Sequence, residues 1–256
     1  SSARAPACRS ITRIVPSEVN LSALDDFQDP LYRARREKVF ILAVDCAHPA
    51  GTCFCASMGT GPRAGDGFDL RLSELDELFL ITIGSELGRS MMTDLPFEAA
   101  SAFVMRSSEH GLEQATQAMG RVLDTSDLPD LILESLDHPR WDEVAARCLS
   151  CANCTQVCPT CFCWDAAEEP DLNGTQAHRT RLWDSCYNPD FSYQSGGNTR
   201  PNTRSRYRQW LSHKLGTWVQ QYGSFGCVGC GRCITWCPAG IDLTEEVPAL
   251  RKEAVR

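Results

Sequence analysis

Eight cysteines fall into two runs with one spacing, Cys148-x2-Cys151-x2-Cys154-x3-Cys158-Pro159 and Cys227-x2-Cys230-x2-Cys233-x3-Cys237-Pro238. Thiolates are soft ligands for iron, and each iron of a [4Fe–4S] cube needs one thiolate from outside it. Three thiolates two residues apart wrap one cube, with backbone N–H groups turned toward its sulfides. The fourth ligand must come from elsewhere, because so tight a loop does not reach the far iron, and the proline sends the chain away. Zinc is the competing chemistry. It favours two separated Cys-x2-Cys pairs and fits a triple series closed by x3-Cys-Pro poorly.

The same run occurs in two-cluster bacterial ferredoxins, where the fourth cysteine of each run serves the other cluster. On that rule one cluster takes Cys148, Cys151, Cys154 and Cys237, and a second takes Cys227, Cys230, Cys233 and Cys158. The long insert between the runs does not prevent the crossing, since closure cost grows only logarithmically with loop length. It leaves the insert free to meet a partner.

The chain holds fifteen cysteines, so seven remain: Cys8, Cys46, Cys53, Cys55, Cys161, Cys163 and Cys186. The four in the N-terminal part, Cys8, Cys46, Cys53 and Cys55, match the number a third [4Fe–4S] cluster needs. The plainer alternative is that buried thiols pack as small hydrophobes. Cys161, Cys163 and Cys186 could replace one or more of those four ligands, or hold a further cluster with Asp184 or His178. Packing around the first cluster is the preferred reading for these three.

The elements that must position these residues follow from pattern. The apolar runs 39–44 and 78–83 read as buried strands, the first ending at Asp45-Cys46. The segment 56–67, ASMGTGPRAGDG, reads as a loop. Its Gly-rich part lacks the phosphate-binding fingerprints, so an ordinary surface loop is expected. Helices are expected over 97–106, 109–123, 130–136 and 203–221, the last with Trp210, Lys214 and Trp218 on one side, and another opens at Pro139. Asp242-Leu-Thr-Glu245 has the form of a capping box for a final short helix. The expected fold is α+β: a small N-terminal α/β layer over 1–130, then a mostly helical ferredoxin-like dicluster domain over 131–256 with an insert at 164–222.

Composition bounds the function. The chain has 256 residues, 43% hydrophobic, and a formal net charge of −8. It is long enough for one large or two modest cores and too apolar for wholesale disorder. No apolar run is long enough for a membrane span. The acidic balance argues against nucleic acid as a partner. Cysteine used as metal ligand rather than disulfide implies a reducing, cytoplasmic compartment. Arg200, Arg204, Arg206 and Arg208 read as a solvated helix face or docking patch. Trp164, Trp183 and Trp236 lie beside cysteines and are expected to keep water from the clusters.

The segments CANCTQVCPTCFCWD (151–165), RLWDSC (181–186), CVGCGRCITWCPAGID (227–242) and GTCFCASMGTGP (51–62) resemble the iron–sulfur β subunits of soluble NAD(P)-linked [NiFe] hydrogenases, or sulfhydrogenases. They also resemble the related iron–sulfur electron-transfer subunit of anaerobic sulfite reductase. The resemblance runs from DPLYRARREKVFILAVDC (29–46) to the end. It implies a non-catalytic electron-transfer subunit of an oxidoreductase complex. Its partners would be the small and large hydrogenase subunits together with a flavin/NAD(P)-binding subunit, or else a sulfite reductase core. Members of this group carry more sequence before this point, so further residues are expected ahead of Ser1. A regulatory iron–sulfur sensor is the third possibility, and the DNA-binding motif it would need is not seen.

Overall fold

The computed structural model of the protein describes residues 30–253. Helix α1 (Pro30–Arg36) leads into a three-stranded sheet of β1 (Leu42–Val44), β2 (Leu70–Glu74) and β3 (Phe79–Ile83). β1 runs parallel to β2 with Leu42 opposite Leu70, and β2 runs antiparallel to β3 with Leu70 opposite Ile83. No sequence pattern announces β2, which is short and follows directly on a glycine-rich loop. The expectation of fully buried strands also needs correcting. Leu42, Val44, Phe79 and Ile83 are exposed, while Ala43 between two of them is buried. An unbroken apolar run does not reveal that only one face of a strand is covered.

A buried carboxylate fixes the loop that follows β1. Asp45 accepts the Ala64 N–H at 2.7 Å and the Ser73 hydroxyl at 2.5 Å, and Arg71 lies 3.7 Å away. The Gly-rich segment is thereby folded back on the strand end beside Cys46.

Helix α2 (Glu86–Met92) starts where Ser85 accepts the Gly88 N–H, and α3 (Ala102–Gln117) where Ser101 accepts that of Val104. The two helices expected over 97–123 are therefore one. Nothing between 106 and 109 breaks it, and Leu112 and Ala115 form its buried stripe. Helix α4 (Leu128–Glu134) and α5 (Arg140–Arg147) follow, the latter entered at Pro139.

Helix α6 (Asn153–Gln156) lies inside the first cysteine run. The insert carries a hairpin, β4 (Trp164–Pro170) and β5 (Ala177–Trp183), and a smaller one, β6 (Tyr193–Gln194) and β7 (Gly197–Asn198). By sequence this stretch is only polar, turn-rich chain. Helix α7 (Thr203–Ser212) passes through a π-helical turn (His213–Thr217) into α8 (Trp218–Tyr222). Helix α9 (Arg232–Thr235) lies inside the second run, and α10 (Leu243–Glu253) closes the described chain. Asp242 caps α10 by accepting the Thr244 N–H at 2.8 Å.

One core joins these pieces. Trp141, Tyr207, Leu211, Leu215, Val247 and Leu250 pack with Phe54 and Met58 from the N-terminal loop. The four arginines of the basic stretch are committed within the chain. Arg204 pairs with Asp142, Arg206 donates to the Arg200 and Pro201 carbonyls, Arg208 donates to the Leu136 carbonyl, and Arg200 stacks over Phe191. Among the described residues no helix is long and apolar enough to cross a membrane.

Glu246 sets the position of the first run. It is buried on α10 and takes Arg140 Nε at 2.7 Å and the Arg147 guanidinium, the residue just before Cys148. Removing one member of a buried ion pair costs about 3–5 kcal/mol, and the partial exposure of both arginines lowers the figure here. Glu246→Gln is expected to destabilise the protein by about 2 kcal/mol, read as a melting temperature roughly 4–8 °C lower. An unchanged melting temperature would show that the triad does not hold α10 to α5.

Candidate metal centre

Both cysteine runs take the same unusual backbone path. The second and fourth residues after the first cysteine are left-handed in each: Ser150 (φ 49°) and Ala152 (φ 61°), then Gly229 (φ 63°) and Gly231 (φ 67°). Alternation of this kind turns successive N–H groups inward into a nest, an anion-binding cavity that recurs at iron–sulfur sites. The Gly229 N–H points at Cys227 Sγ at 3.4 Å, and the Ile241 N–H at Cys237 Sγ at 3.3 Å. Among the described residues no three His, Cys, Asp or Glu side chains close tightly enough for a single metal ion. The donor set, all thiols over inward N–H groups, suits an anionic four-iron cube.

The last cysteine of each run faces the other run. Cys237 lines one hollow with Cys148, Cys151 and Cys154, a hollow that Cys233 also lines, and the sulfurs of the first four act on one another electrostatically. Cys158 is the electrostatic neighbour of Cys227 and Cys233, which also feel Cys230. Helices α6 and α9 hold the two halves face to face, with Asn153 Nδ2 donating to the Trp236 carbonyl at 3.2 Å.

The two groups differ in surroundings. Cys151 is exposed, whereas Cys227 is buried. Burial pushes the thiols of Cys154 and Cys227 up to about 12 and that of Cys233 well above its ordinary value. Cys158 goes the other way. A hydrogen bond from Cys161, and then the Lys214 ammonium, hold it well below the usual thiol range. The Tyr187 hydroxyl reaches Cys154 as a donor, and Ser150 donates to Cys148.

The N-terminal segment that packs against the second run carries three of the remaining cysteines, with Cys55 Sγ meeting Met119 Sδ at 3.9 Å. Cys46, Cys53 and Cys55 are all buried, and Cys8 lies outside the described residues. Cys46 and Cys53 pack together with Cys230, and Cys53 Sγ is 3.8 Å from the Cys230 carbonyl. Their loop is stitched on by Phe54 N–H to Gly229 O at 2.8 Å and by Thr60 Oγ1 to Val228 O at 2.8 Å.

Cys161, Cys163 and Cys186 join the main core. Cys163 accepts from Cys186, which draws the Cys163 thiol down to about 7, and Cys161 bonds to Cys158. Asp184 neighbours this group, its N–H donating to the Cys163 carbonyl at 2.9 Å while its carboxylate accepts from the Ser185 N–H and Asn188, whereas His178 sits along the exposed hairpin, opposite Glu169. The tryptophans also need correcting as water shields. Trp164, Trp183 and Trp236 are 47%, 61% and 46% exposed. Tyr187, Tyr207 and Trp210 wall the hollow instead. The helical pattern puts Lys214 on one face with Trp210 and Trp218 and assigns it no role. A lysine set in an apolar stripe is the signal the sequence does carry.

Residues 147–241 match a 4Fe–4S dicluster domain family. The chain is 34% identical over 227 residues to sulfhydrogenase 2 subunit beta of Pyrococcus furiosus. The match covers 88% of this chain and 66% of that relative. No solved structure matches the chain.

Proposed function

We propose that the chain is an iron–sulfur β subunit of a hydrogenase and that it relays single electrons between a [NiFe] hydrogenase core of small and large subunits and a flavin/NAD(P)-binding subunit. What supports this reading is that Cys237 lines the hollow of Cys148, Cys151 and Cys154 and that Cys158 neighbours Cys227 and Cys233, in two runs with the same left-handed backbone. Bound [4Fe–4S] clusters supply reversible one-electron transfer. The chain's own residues hold, space and insulate them.

In this reading Cys148, Cys151, Cys154 and Cys237 hold a surface cluster, and Cys227, Cys230, Cys233 and Cys158 a buried one. Cys46, Cys53 and Cys55, with Cys8, hold a third. The Cys53 contact to Cys230 supports an order of N-terminal, buried and surface site. Exposed Cys151, with Leu149 also exposed in the wall of the same hollow, presents the surface end to a partner. Tyr187, Tyr207 and Trp210 keep water from that site, which bears on its potential.

The test is metal and partner content of the complex isolated without oxygen. About twelve irons and as many sulfides on this subunit support three clusters, at four per cube, and about eight leave the N-terminal thiols without one. A nickel-bearing partner is expected. A sirohaem-bearing partner would reassign the chain to an anaerobic sulfite reductase, and a colourless, zinc-loaded chain would overturn the cluster reading altogether.

A further inference from the structure

Lys214 is 3% exposed and sits in the π-helical turn between α7 and α8. Its Nζ donates to Cys158 Sγ at 3.2 Å, Thr160 Oγ1 at 3.0 Å and Gly226 O at 2.8 Å. Thr160 passes its own hydrogen to the Gly226 carbonyl at 2.5 Å, so its oxygen is free to accept from the lysine. Three acceptors around one nitrogen call for three N–H groups, which is the ammonium and not the neutral amine. The turn is pinned in place, since the Lys214 carbonyl accepts the Gly226 N–H at 2.8 Å.

A buried ammonium needs an anion, and among the described residues no carboxylate lies within ion-pair distance of Lys214. The neighbours that take negative charge as cluster ligands are the sulfurs of Cys158 and Cys227. Four thiolates around a [4Fe–4S]²⁺ core sum to −2, and that charge grows by one on reduction. A fixed positive charge on a ligand sulfur, in a site with little water to screen it, stabilises the more negative form. The corresponding cysteine of the other group, Cys237, receives the Ile241 N–H, a neutral donor.

We propose that Lys214 is the positioning residue that raises the reduction potential of the buried cluster above that of its surface twin, making it the low point at which an electron rests between the two ends. The inference rests on the crossed ligation proposed above. Potentiometric EPR on the full chain tests it. In Lys214→Met the reduced-to-oxidised ratio of the buried cluster at a fixed poise is expected to fall about tenfold, which is 59 mV for one electron. The surface cluster should not move, and Lys214→Arg, which keeps the charge, should restore most of the ratio. Lys214→Gln, which keeps a donor without the charge, should behave like the Met variant and covers the case in which that variant fails to assemble.

An unmoved buried midpoint in the neutral variants overturns the inference, as does an equal shift in Lys214→Arg. Loss of the buried cluster from both neutral variants also overturns it, by giving the lysine a role in holding the site. Cys158→Ser measured in parallel separates the two levels. If it spares the buried cluster, the ligation is wrong; if it removes that cluster while Lys214→Met leaves the midpoint alone, only the lysine inference fails.

Discussion

Cys158→Ser is expected to abolish the cluster of the opposite run and to leave its own run's cluster standing. Position in sequence argues the reverse, since Cys158 is four residues from Cys154 and far from Cys227. The fold decides otherwise. The short helix α6 lies between Cys151 and the Cys158-Pro159 step, and it carries Cys158 away from the hollow that Cys148, Cys151 and Cys154 share with Cys237. There its sulfur meets Cys227 and Cys233. Serine oxygen is a harder, more basic ligand than thiolate and holds iron in a cube poorly. The variant should lose about four irons per chain and the EPR signal of the buried site. The reciprocal change, Cys237→Ser, should remove the surface signal. Loss of the 148–154 signal from Cys158→Ser would mean that each run closes on itself, and the relay order drawn from the crossing would fall with it.

The metal centre was legible in the sequence to a degree the rest of the fold was not. Ligand spacing is a local property, and eight cysteines at fixed separations mark a 4Fe–4S dicluster segment, as the family match over 147–241 bears out. The capped helices were legible for a similar reason. Pro139 marks the entry to α5, Asp242 caps α10, and the apolar stripe with Trp210 and Trp218 marks α7 and α8. What failed was non-local. The hairpin of β4 and β5 is held by pairing between strands whose side chains are nearly all exposed, so no alternation of apolar residues announces it. Strand β2 exists because β1 and β3 flank it. The role of Lys214 is not legible in the sequence because its partners, Cys158, Thr160 and Gly226, come from two other segments of the chain. A lysine among aromatics becomes meaningful only once the anion beside it is known.

Gly231→Ala is the second variant expected to have a large effect, and it bears on how the N-terminal thiols are held. Gly231 and Ala152 occupy the same place in their runs, with φ of 67° and 61°. Alanine is therefore compatible with the loop geometry at Ala152, at the usual left-handed cost of about 1–2 kcal/mol. Gly231 carries a second constraint. A Cβ there would lie 2.2 Å from the Thr52 carbonyl oxygen, and one at Gly229 would lie 2.6 Å from Cys55 Cα. The obstruction is backbone, which cannot rotate aside, and it belongs to the loop that bears Cys53 and Cys55. Backbone strain and overpacking together put the loss at about 2–5 kcal/mol, a melting temperature roughly 10 °C lower. Ala152→Gly, which trades left-handed strain for chain entropy, should change stability by about 1 kcal/mol or less. The two also differ in iron. Gly231→Ala pushes the N-terminal loop off the second run, so, on the proposal that the N-terminal thiols hold a third cluster, the irons it loses should be those of that site, with the surface cluster retained. Equal effects from the two variants would show that the glycine serves only its own turn. The close approach of the two backbones would then not be what brings the N-terminal thiols within reach of the buried cluster.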